Sequence, residues 1–574
     1  MAQNKQKLEL TWIGKENRPR LEPRILLEEP EKSYYAQHRV TDHDLFDNYL
    51  IFADNLLALK ALEQEFCGRI KCIYIDPPFN TQQAFEFYDD TVEHSTWLSM
   101  MRDRLEILRR LLLPDGTLFV HIDDNELGYL IVLLDELFGR DNRIHVVTFK
   151  QGSATGHKAI NPGCVNTTNF IVIYAKDKSK WTPNRVFTAR ERDVRYGQFI
   201  ENVEDSCEKW RVTTLMKAFA TANRIFEKEA RSLANSRPGT IDDYVVKNAR
   251  HVIQLAKPNY EGVSAEARKL IDRSKSQPDQ ILHLRREGYP DIYLKGGKRI
   301  LFYFDKLKKI DRRWVAGEPL TTLWDDVLSN NLHAEGGVEF PKGKKPEGLI
   351  KRILELATGS GDWVLDSFAG SGTTGAVAHK MGRHWIMVEL REHCHTHIIP
   401  RIKNVIDGAD RSGITEAVGW KGGGGFRYYR LAPSLLERDK WGNWVISKEF
   451  NAAMLAEAVC KLEGFVYAPS DAIYWLHGHS TERDFIYVTT ANLSHDQLLQ
   501  LSDEVGGDRS LLVMCTAFRG RAEGYGNLTV KKIPKAVLSR CEWGKDDYSL
   551  KVENLPKAPP KPGQRNLFDE GTES

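Results

Sequence analysis

Short apolar segments alternate with helical patterns in two separate stretches of this 574-residue chain. In residues 46–150 the segments "YLIFAD", "RIKCIYID" and "TLFVHID" are almost purely apolar, and a helical pattern follows each of them. The alternation returns in residues 334–412 with "DWVLDSF" and "HWIMVEL". Strands that are apolar throughout are typical of a parallel sheet that helices cover on both faces. The pattern therefore predicts a doubly wound α/β core built from two stretches of chain.

The regions around these stretches differ in composition. Residues 185–313, inside an insert that spans 151–333, hold 28 Lys and Arg against 18 Asp and Glu, interleaved with tyrosines 289, 293 and 303. Such a surface is typical of nucleic-acid binding, whereas a solvated, irregular insert is the alternative. Residues 425–550 predict a small second α/β unit, in which Ser494 and Gln497 form a helix-capping box. An N-terminal arm (1–45) and a proline-rich flexible tail (551–574) complete the chain.

A glycine turn follows one of the strands, in "VLDSFAGSGTTG" at residues 364–375. It puts Asp366 at the strand end, Gly370 and Gly372 in the turn, and a helix start directly behind them. Glycines and free helix N–H groups let a ligand approach the backbone closely. A phosphate-binding P-loop is excluded because no lysine follows Gly372. A dinucleotide, as in a dehydrogenase, and S-adenosylmethionine both fit the turn, since Glu389 can serve as the ribose acid of either.

The stretch "IYIDPPFNT", residues 73–81, ends another strand at Asp76, because proline cannot donate to a sheet ladder. D-P-P-F at a strand end resembles the catalytic motif of methyltransferases that act on the exocyclic amines of nucleic-acid bases. Asp76 can accept one amine N–H, the carbonyl of Pro77 can accept the other, and Phe79 offers a stacking face to a flipped-out base. A strand closed by a Pro-Pro turn with a solvated aspartate is the plain structural alternative.

Further stretches extend this resemblance over roughly residues 10–430, among them "ADNLLALKAL", "FPKGKKPEGLIKRIL" and "GRHWIMVEL". They occur in the order of the β class of DNA methyltransferases, and the chain is most similar to modification subunits of type III restriction–modification systems and their solitary relatives. The resemblance implies a circularly permuted, Rossmann-like core that binds S-adenosylmethionine. In the sequence of such a core the catalytic half comes first, the target-recognition insert follows, and the cofactor half comes last. The resemblance also implies N6 of adenine as the target, since Asp76 holds the first catalytic position. A cytosine-N4 enzyme and a catalytically idle DNA-binding subunit are the alternatives.

The family pattern also assigns roles position by position. The residues of base binding and methyl transfer are Asp76, Pro77, Pro78 and Phe79. The cofactor-binding residues are Asp54, Phe340, Lys345, Pro346, Asp366, Phe368, Gly370, Gly372 and Glu389. Phe79 departs from the commoner tyrosine, and "PKGKKPEG" is looser than the usual F-x-x-P-K-P.

Composition bears on location and partners. A formal net charge of +2, no apolar N-terminal region and no long apolar run predict a cytoplasmic protein without membrane contact. The eight cysteines are scattered without a C-x-x-C pair, so no structural zinc site is expected. The histidines of residues 393–397 are of metal-ligand type, but they follow Glu389 at the start of a predicted helix and methyl transfer needs no metal, so no metal site is expected there either. Expected partners are double-stranded DNA, a second copy of the chain, a restriction subunit and the bacterial sliding clamp. The clamp is expected because Gln564, Leu567 and Phe568 resemble the Q-x-x-L-F pattern of clamp-binding peptides.

Overall fold

The computed structural model describes residues 9–79, 94–152, 164–327, 332, 335–340, 343–519 and 524–549. The chain divides into two compact units: the larger combines Met1–Asn184 with Thr322–Ser574, and the smaller is Arg185–Thr321. The smaller unit is shorter than the insert at 151–333 that composition set apart, because residues 168–175 form a strand of the larger unit's central sheet. The expected clamp-binding residues Gln564, Leu567 and Phe568 lie outside the described residues.

The first part of the larger unit follows the predicted alternation. Its strands are β1 (Leu26–Glu28), β2 (Tyr34–Tyr35), β3 (Asn48–Phe52), β4 (Ile70–Ile75), β5 (Leu112–Ile122), β6 (Arg143–Lys150) and β7 (Thr168–Ala175). Its helices are α1 (Asn55–Phe66), α2 (His94–Leu111) and α3 (Asp124–Leu134).

The smaller unit is a folded α/β body with its own core. Its strands are β8 (Phe187–Ala189), β9 (Gln198–Ile200), β10 (Val212–Thr214), β11 (Val252–Ala256), β12 (Ile281–Leu284), β13 (Ile292–Lys295), β14 (Lys298–Phe302), β15 (Leu307–Ile310) and β16 (Arg313–Pro319). Its helices are α4 (Leu215–Asn223), α5 (Glu227–Ser236), α6 (Pro238–Lys247) and α7 (Ala265–Ser276). One sheet has the order β10-β9-β11-β14-β13-β12 and another the order β15-β16-β8. Tyr196, Phe199 and Phe219 lie in the core of this unit, so it is not the irregular insert that was the alternative.

The last part of the larger unit contains the second predicted alternation and the C-terminal region. Its strands are β17 (Leu323–Trp324), β18 (Trp363–Asp366), β19 (His384–Glu389), β20 (Gly425–Leu431), β21 (Leu436–Arg438), β22 (Trp444–Ile446), β23 (Val466–Tyr467), β24 (Gly478–His479), β25 (Asp484–Val488), β26 (Asn492–Leu493), β27 (Ser510–Cys515), β28 (Ala517–Phe518) and β29 (Leu528–Lys532). Its helices are α8 (Glu347–Ala357), α9 (Thr373–Lys380), α10 (Ile399–Ile406), α11 (Thr415–Val418), α12 (Ala452–Glu463) and α13 (His495–Val505).

The central sheet interleaves the two stretches of chain. Its order is β1-β20-β3-β19-β18-β4-β5-β7-β6-β17, with β2 against β20. The strands from β20 to β5 pair in parallel, and β1 and β7 pair antiparallel to their neighbours. Because β19 and β18 lie between β3 and β4, the ends of strands that are distant in sequence meet at one edge of the sheet.

Helices cover both faces of this sheet, as the sequence pattern predicts. Ile386 and Val388 of β19 belong to one apolar core with residues of α1, α2 and α3. Met387 points to the opposite face, where a Cβ added to Gly375 of α9 would come within 2.6 Å of its sulfur. Successive side chains of a strand alternate between faces, so α1–α3 and α9 lie on opposite sides. The doubly wound α/β fold is therefore confirmed, while the circular permutation stays an implication of the resemblance.

The C-terminal region has a sheet of its own, with the order β23-β24-β25-β27-β29. Ser494 and Gln497 form the predicted capping box at the start of α13. Ile25 of the N-terminal arm belongs to the same apolar core as Leu455 and Val459 of α12, so the arm packs against this region. In the part of the chain that the structure describes, no helix combines the length and the apolar character that a membrane crossing needs.

Candidate active site

Four carboxylates line up along one edge of the central sheet. Asp54 follows β3, Glu389 ends β19, Asp366 ends β18 and Asp76 follows β4. These strands are neighbours in the order β3-β19-β18-β4 and run parallel, so all four acids lie at their carboxyl ends. This edge is where open α/β sheets bind their ligands.

Asp76 is the least saturated of the four acids. Its Oδ2 forms an ion pair with the ammonium group of Lys345, and its side chain is 19% exposed. Its Oδ1 is buried and has no hydrogen-bond partner among the described residues. Burial raises the pKa of Asp76 above its ordinary value, and the charge of Lys345 offsets only part of this increase. One oxygen is therefore fixed by an ion pair, and the other keeps an unused capacity to accept a hydrogen bond.

The loop behind Asp76 is fixed by aromatic residues of two other elements. The indole Nε1 of Trp97 donates to the carbonyl of Pro78 at 2.7 Å. The ring of Phe79 stacks on His121, with the ring centroids 5.9 Å apart and the planes 26° apart. His121 is fully buried between Tyr74 and Asn169, at 3.1 Å from each, and burial lowers its pKa well below the ordinary value. A neutral, immobile imidazole thus supports Phe79.

The glycine turn after β18 has the geometry that its sequence predicts. Gly370 and Gly372 have φ angles of 54° and 76°, a region that favours glycine. Asp366 accepts from the backbone N–H of Phe368 at 2.9 Å and from the hydroxyl of Thr374 at 2.5 Å. Its burial raises its pKa to about 7. This aspartate holds the turn against the start of α9.

Glu389 joins the glycine turn to the loop after β19. Its Oε2 accepts from the N–H of Gly370 at 2.8 Å. Its Oε1 accepts from the N–H groups of Leu390 at 2.9 Å and Arg391 at 3.0 Å. The carboxylate therefore fixes both loops at the edge of the sheet.

Asp54 is 1% exposed, and its neighbours already occupy its carboxylate. Its Oδ1 caps α1 by accepting from the N–H groups of Leu56 at 2.9 Å and Leu57 at 3.2 Å. Its Oδ2 accepts from the N–H of Tyr548 at 2.9 Å and lies 3.6 Å from the guanidinium group of Arg104. Sequence patterns gave no sign of the contact with Tyr548, because 494 residues separate the two positions.

Two adjoining clefts open at this edge, and Phe368 lines both. The larger has about 570 Å³ of empty space, its open part included. Its wall consists of Ala53, Asp54, Asn55, Pro78, Met100, Arg104, Ser367, Phe368, Val388, Glu389, Leu390, Arg391 and Ser549. The smaller has about 290 Å³ and is lined by Tyr74, Asp76, Gly343, Lys345, Asp366, Phe368, Ala369, Gly370, Ser371, Thr373 and Thr374. We call the larger the outer cleft and the smaller the inner cleft.

Phe340 and Pro346 are the remaining predicted cofactor residues. Phe340 is 4% exposed and packs edge-on against His393 and His397, with centroid distances of 5.4 Å. Pro346 is the N-cap residue of α8. Neither Phe340 nor Pro346 is among the described residues that line the two clefts. Within the described parts of the chain, no group of three or more His, Cys, Asp and Glu side chains can hold a metal ion.

A buried ionic network supports the backbone of Lys345. Glu347 accepts from Lys380 at 2.7 Å and from Arg401 at 2.9 Å. Arg401 also donates to the hydroxyl of Thr373 at 2.8 Å, and that hydroxyl donates to the carbonyl of Lys345 at 3.2 Å. The network links the Lys345 loop to the glycine turn, and the local patterns around these residues gave no sign of it.

Comparisons with known proteins agree with this geometry. Residues 70–400, more than half of the chain, match the N6_N4_Mtase family model, which describes a DNA methylase. The chain is 35% identical over 418 residues to a probable type III restriction-modification enzyme HindVI Mod subunit of Haemophilus influenzae, with 69% of this chain and 55% of that protein covered. It is 27% identical to the EcoPI Mod subunit of Escherichia phage P1, with 66% and 62% covered.

The chain covers only part of these relatives, and its similarity to solved structures is low. The match spans only 55% and 62% of the length of these two relatives. Among solved structures, a complex of M1.HpyAVI with SAM is 13% identical at a TM-score of 0.29 and covers 62% of this chain and 98% of its own, a likeness too distant to add weight. The family model matches more than half of the chain, and the chain therefore belongs to the N6/N4 DNA methylase family.

Proposed function

We propose that this protein transfers a methyl group from S-adenosylmethionine to the N6 amine of adenine in DNA, within a restriction–modification or related context. The observation that carries the proposal is that Oδ1 of Asp76 has no hydrogen-bond partner among the described residues, in the D-P-P-F motif that follows β4 and lines the inner cleft. Membership of the N6/N4 DNA methylase family supports the same reaction.

The chemistry follows from the contacts of the base end. The lone pair of an adenine amine is delocalised into its ring, so the amine is a weak nucleophile. Asp76 accepts one amine N–H through Oδ1, and the carbonyl of Pro77, which lies beyond the end of β4, accepts the other. Together they draw the nitrogen towards tetrahedral geometry. Phe79, supported by His121, offers a stacking face to a flipped-out base.

The outer cleft fits the adenosine part of S-adenosylmethionine. Apolar side chains of Phe368, Pro78 and Met100 provide a slot for a flat ring, and Glu389 provides oxygens for ribose hydroxyls. Carboxylate oxygens accept more than one hydrogen bond, so the backbone contacts of Glu389 leave capacity for a ligand. When bound, S-adenosylmethionine supplies the activated methyl group. Gly370 lets the ligand approach the turn closely.

The contacts of Lys345 and Asp54 favour roles that differ from those implied by the family pattern. Lys345 pairs with Asp76, which favours a role at the base end over one beside the methionine part of the cofactor. Asp54 is 1% exposed and is held by Leu56, Leu57, Tyr548 and Arg104, which favours a role in the wall of the outer cleft. Phe340 and Pro346 stay assigned to the cofactor by the family pattern alone.

The unit Arg185–Thr321 is the proposed reader of double-stranded DNA. Its surplus of Lys and Arg provides the phosphate contacts that DNA binding needs. Phe226 and Tyr289 are 80% and 71% exposed, and Trp314 is 55% exposed, so aromatic side chains are available at its surface. The relatives are named as Mod subunits of restriction-modification enzymes, which favours a restriction subunit as a partner. A second copy of the chain and a cytoplasmic location are proposed from the sequence alone.

The proposed contact with the sliding clamp rests on the Q-x-x-L-F pattern at Gln564, Leu567 and Phe568. A tethered glutamine with two adjacent apolar anchors suits a surface pocket of a partner. Titrating a bacterial clamp with a peptide of residues 557–574 tests it, with Leu567→Ala/Phe568→Ala as the control. Equal binding of both peptides would refute the clamp contact.

Product analysis tests the main proposal and its nearest rival. The gene is expressed in a host without DNA methylation, and modified bases are mapped by single-molecule sequencing and identified in digested DNA. N6-methyladenine at one sequence motif is expected, and it should disappear with Asp76→Ala. N4-methylcytosine would establish the cytosine alternative, which the family name also covers. DNA without any modified base would refute the proposal.

A further inference from the structure

A short segment near the C-terminus lies in the wall of the outer cleft. This C-terminal strap, residues 545–549, follows the last part of the C-terminal region. The backbone of Tyr548 donates to Asp54 at 2.9 Å and accepts from Arg104 at 3.2 Å. Ser549 lines the outer cleft together with Glu389. A residue of the C-terminal region thus faces the same space as the proposed ribose acid.

Side-chain and backbone contacts anchor the C-terminal strap at both ends. Arg24, which is 4% exposed, donates to Asp546 Oδ1 at 2.6 Å and to the carbonyl of Lys545 at 3.4 Å. Arg24 also donates to the carbonyl of Ala432, which ties the strap to the start of the C-terminal region. At the other end, the ring of Tyr548 packs against the core of the central sheet. The strap is therefore an ordered part of the structure and not a passing contact.

The polar contacts of the strap complete a buried pair of charges. Asp54 and Arg104 are 1% and 2% exposed, and the peptide groups of Tyr548 satisfy both. Buried charges need such partners, because water cannot reach them. Without the strap, the wall of the outer cleft would open beside Asp54, the N-cap residue of α1. Asp54 and Arg104 would then lose their hydrogen bonds with Tyr548 and would have to rearrange.

We infer that the C-terminal strap forms the wall of the cofactor's adenosine site, so that the C-terminal region controls cofactor affinity through Tyr548 and Ser549. The inference rests on the proposed function, because it takes S-adenosylmethionine as the ligand of the outer cleft. It assigns a positioning role to a segment outside residues 70–400, the part that matches the family model. The inner cleft, with Asp76, lies on the other side of Phe368 and keeps its own wall.

Two truncations of the full chain test this inference. One ends at Gly544 and lacks the strap; the matched control ends at Ser549 and lacks only residues 550–574. Dissociation constants are measured by calorimetry with S-adenosylmethionine and with adenosine, and DNA affinity is measured separately. The truncation at Gly544 should weaken both ligands about ten-fold or more, because the adenosine site loses one side. The control should bind both ligands as the full chain does, and DNA affinity should be equal in all three proteins.

Point variants keep the test decisive if the shorter truncation fails to fold. Ser549→Leu places bulk in the outer cleft and should weaken adenosine binding without lowering the unfolding temperature, whereas Ser539→Leu makes the same change at an exposed serine that does not line the outer cleft and should have no effect. Asp546→Ala removes the tie to Arg24 from a side chain that is 74% exposed, and about a three-fold loss is expected, with Asp546→Glu restoring affinity.

The outcomes distinguish the role of the strap from the proposed function. A full chain that binds adenosine ligands, together with a folded Gly544 truncation or a Ser549→Leu variant of equal affinity, would overturn the role of the strap and leave the proposed function intact. A full chain that binds neither ligand would refute the proposed function, and this inference with it.

Discussion

The carboxylates assigned to the cofactor, which we call the cofactor end, differ in their hydrogen bonding from Asp76, the carboxylate assigned to the base, which we call the base end. At the cofactor end, each oxygen of Asp54, Asp366 and Glu389 accepts a hydrogen bond from the protein itself. At the base end, Asp76 has one oxygen paired with Lys345 and one without a partner among the described residues. Three acids thus accept hydrogen bonds from the protein with both of their oxygens, and Asp76 has one oxygen that we propose accepts from the amine of the substrate.

This difference implies different consequences of mutation. Removing one of the three acids at the cofactor end leaves backbone N–H groups without acceptors, which costs about 1–3 kcal/mol per buried group. Removing Asp76 breaks no backbone contact among the described residues, although it leaves the ammonium group of Lys345 without this carboxylate, and it takes away a group that the proposed reaction needs. Stability and cofactor affinity should therefore depend on the cofactor end, and turnover on the base end.

The largest expected effect is that of Asp76→Ala on methyl transfer. Turnover should fall by about 10²–10⁴-fold, because the acceptor of the amine proton is lost. Cofactor affinity should stay within a few-fold of the wild type, since Asp76 does not line the outer cleft. Single-turnover transfer of a radiolabelled methyl group and calorimetry measure the two quantities. Substantial turnover in this variant would remove Asp76 from the mechanism.

Glu389→Ala should show the opposite pattern. The N–H groups of Gly370, Leu390 and Arg391 lose their acceptor, so the two loops at the sheet edge should loosen. S-adenosylmethionine affinity should fall about 10–100-fold, and the unfolding temperature should fall as well. Glu389→Gln keeps one acceptor oxygen and is the matched control, with a smaller loss expected. An unchanged cofactor affinity in Glu389→Ala would break the comparison between the two ends.

Sequence patterns predicted the parts of this site that depend on local chemistry. The acid, glycines and helix start of residues 364–375 are neighbours in sequence, so strand, turn and helix propensities determine their arrangement. The end of β4 just before Asp76 was predictable for the same reason, since two prolines follow Asp76. The α/β core followed from the alternation of apolar strands with helices.

Long-range contacts were not predictable from these patterns. Lys345 lies 269 residues from Asp76, and nothing local indicates that its ammonium group reaches the carboxylate. The placement of β18 and β19 between β3 and β4 depends on strand pairing across the whole chain. The smaller unit was equally difficult, because its strands are short and only partly apolar, so composition alone left an irregular insert as an alternative.

Lys345→Met is expected to have an intermediate effect, which depends on pH. Burial raises the pKa of Asp76, and Lys345 opposes this increase, so the variant should have a still higher pKa at Asp76. Because the carboxylate form accepts from the amine N–H, turnover near neutral pH should fall and should recover as the pH rises. Lys345→Arg keeps the charge and is the control. A pH profile of kcat that has the same midpoint in Lys345→Met and wild type would contradict this role.

The last expected effect is on stability and not on turnover, and it concerns Asp366. The pKa of Asp366 is raised to about 7 by burial, from an ordinary value near 3.8. The folded protein therefore holds a proton at Asp366 that the unfolded chain releases above pH 4. Stability from this group is complete below pH 4 and is lost as the pH rises towards 7, by at most about 1.4 kcal/mol per pH unit.

Asp366→Asn should remove this dependence. The amide has the shape of the protonated acid, can still accept from the N–H of Phe368 and can donate to the hydroxyl of Thr374, so the turn keeps its hydrogen bonds. Unfolding temperatures of variant and wild type should be close at pH 4.5, and the variant should become relatively more stable as the pH rises to 7. Parallel curves over this range would mean that Asp366 is ionised in the folded protein. Asp366 would then carry a charge near Asp76, although burial and the charge of Asp76 are among the causes that raise the pKa of Asp366.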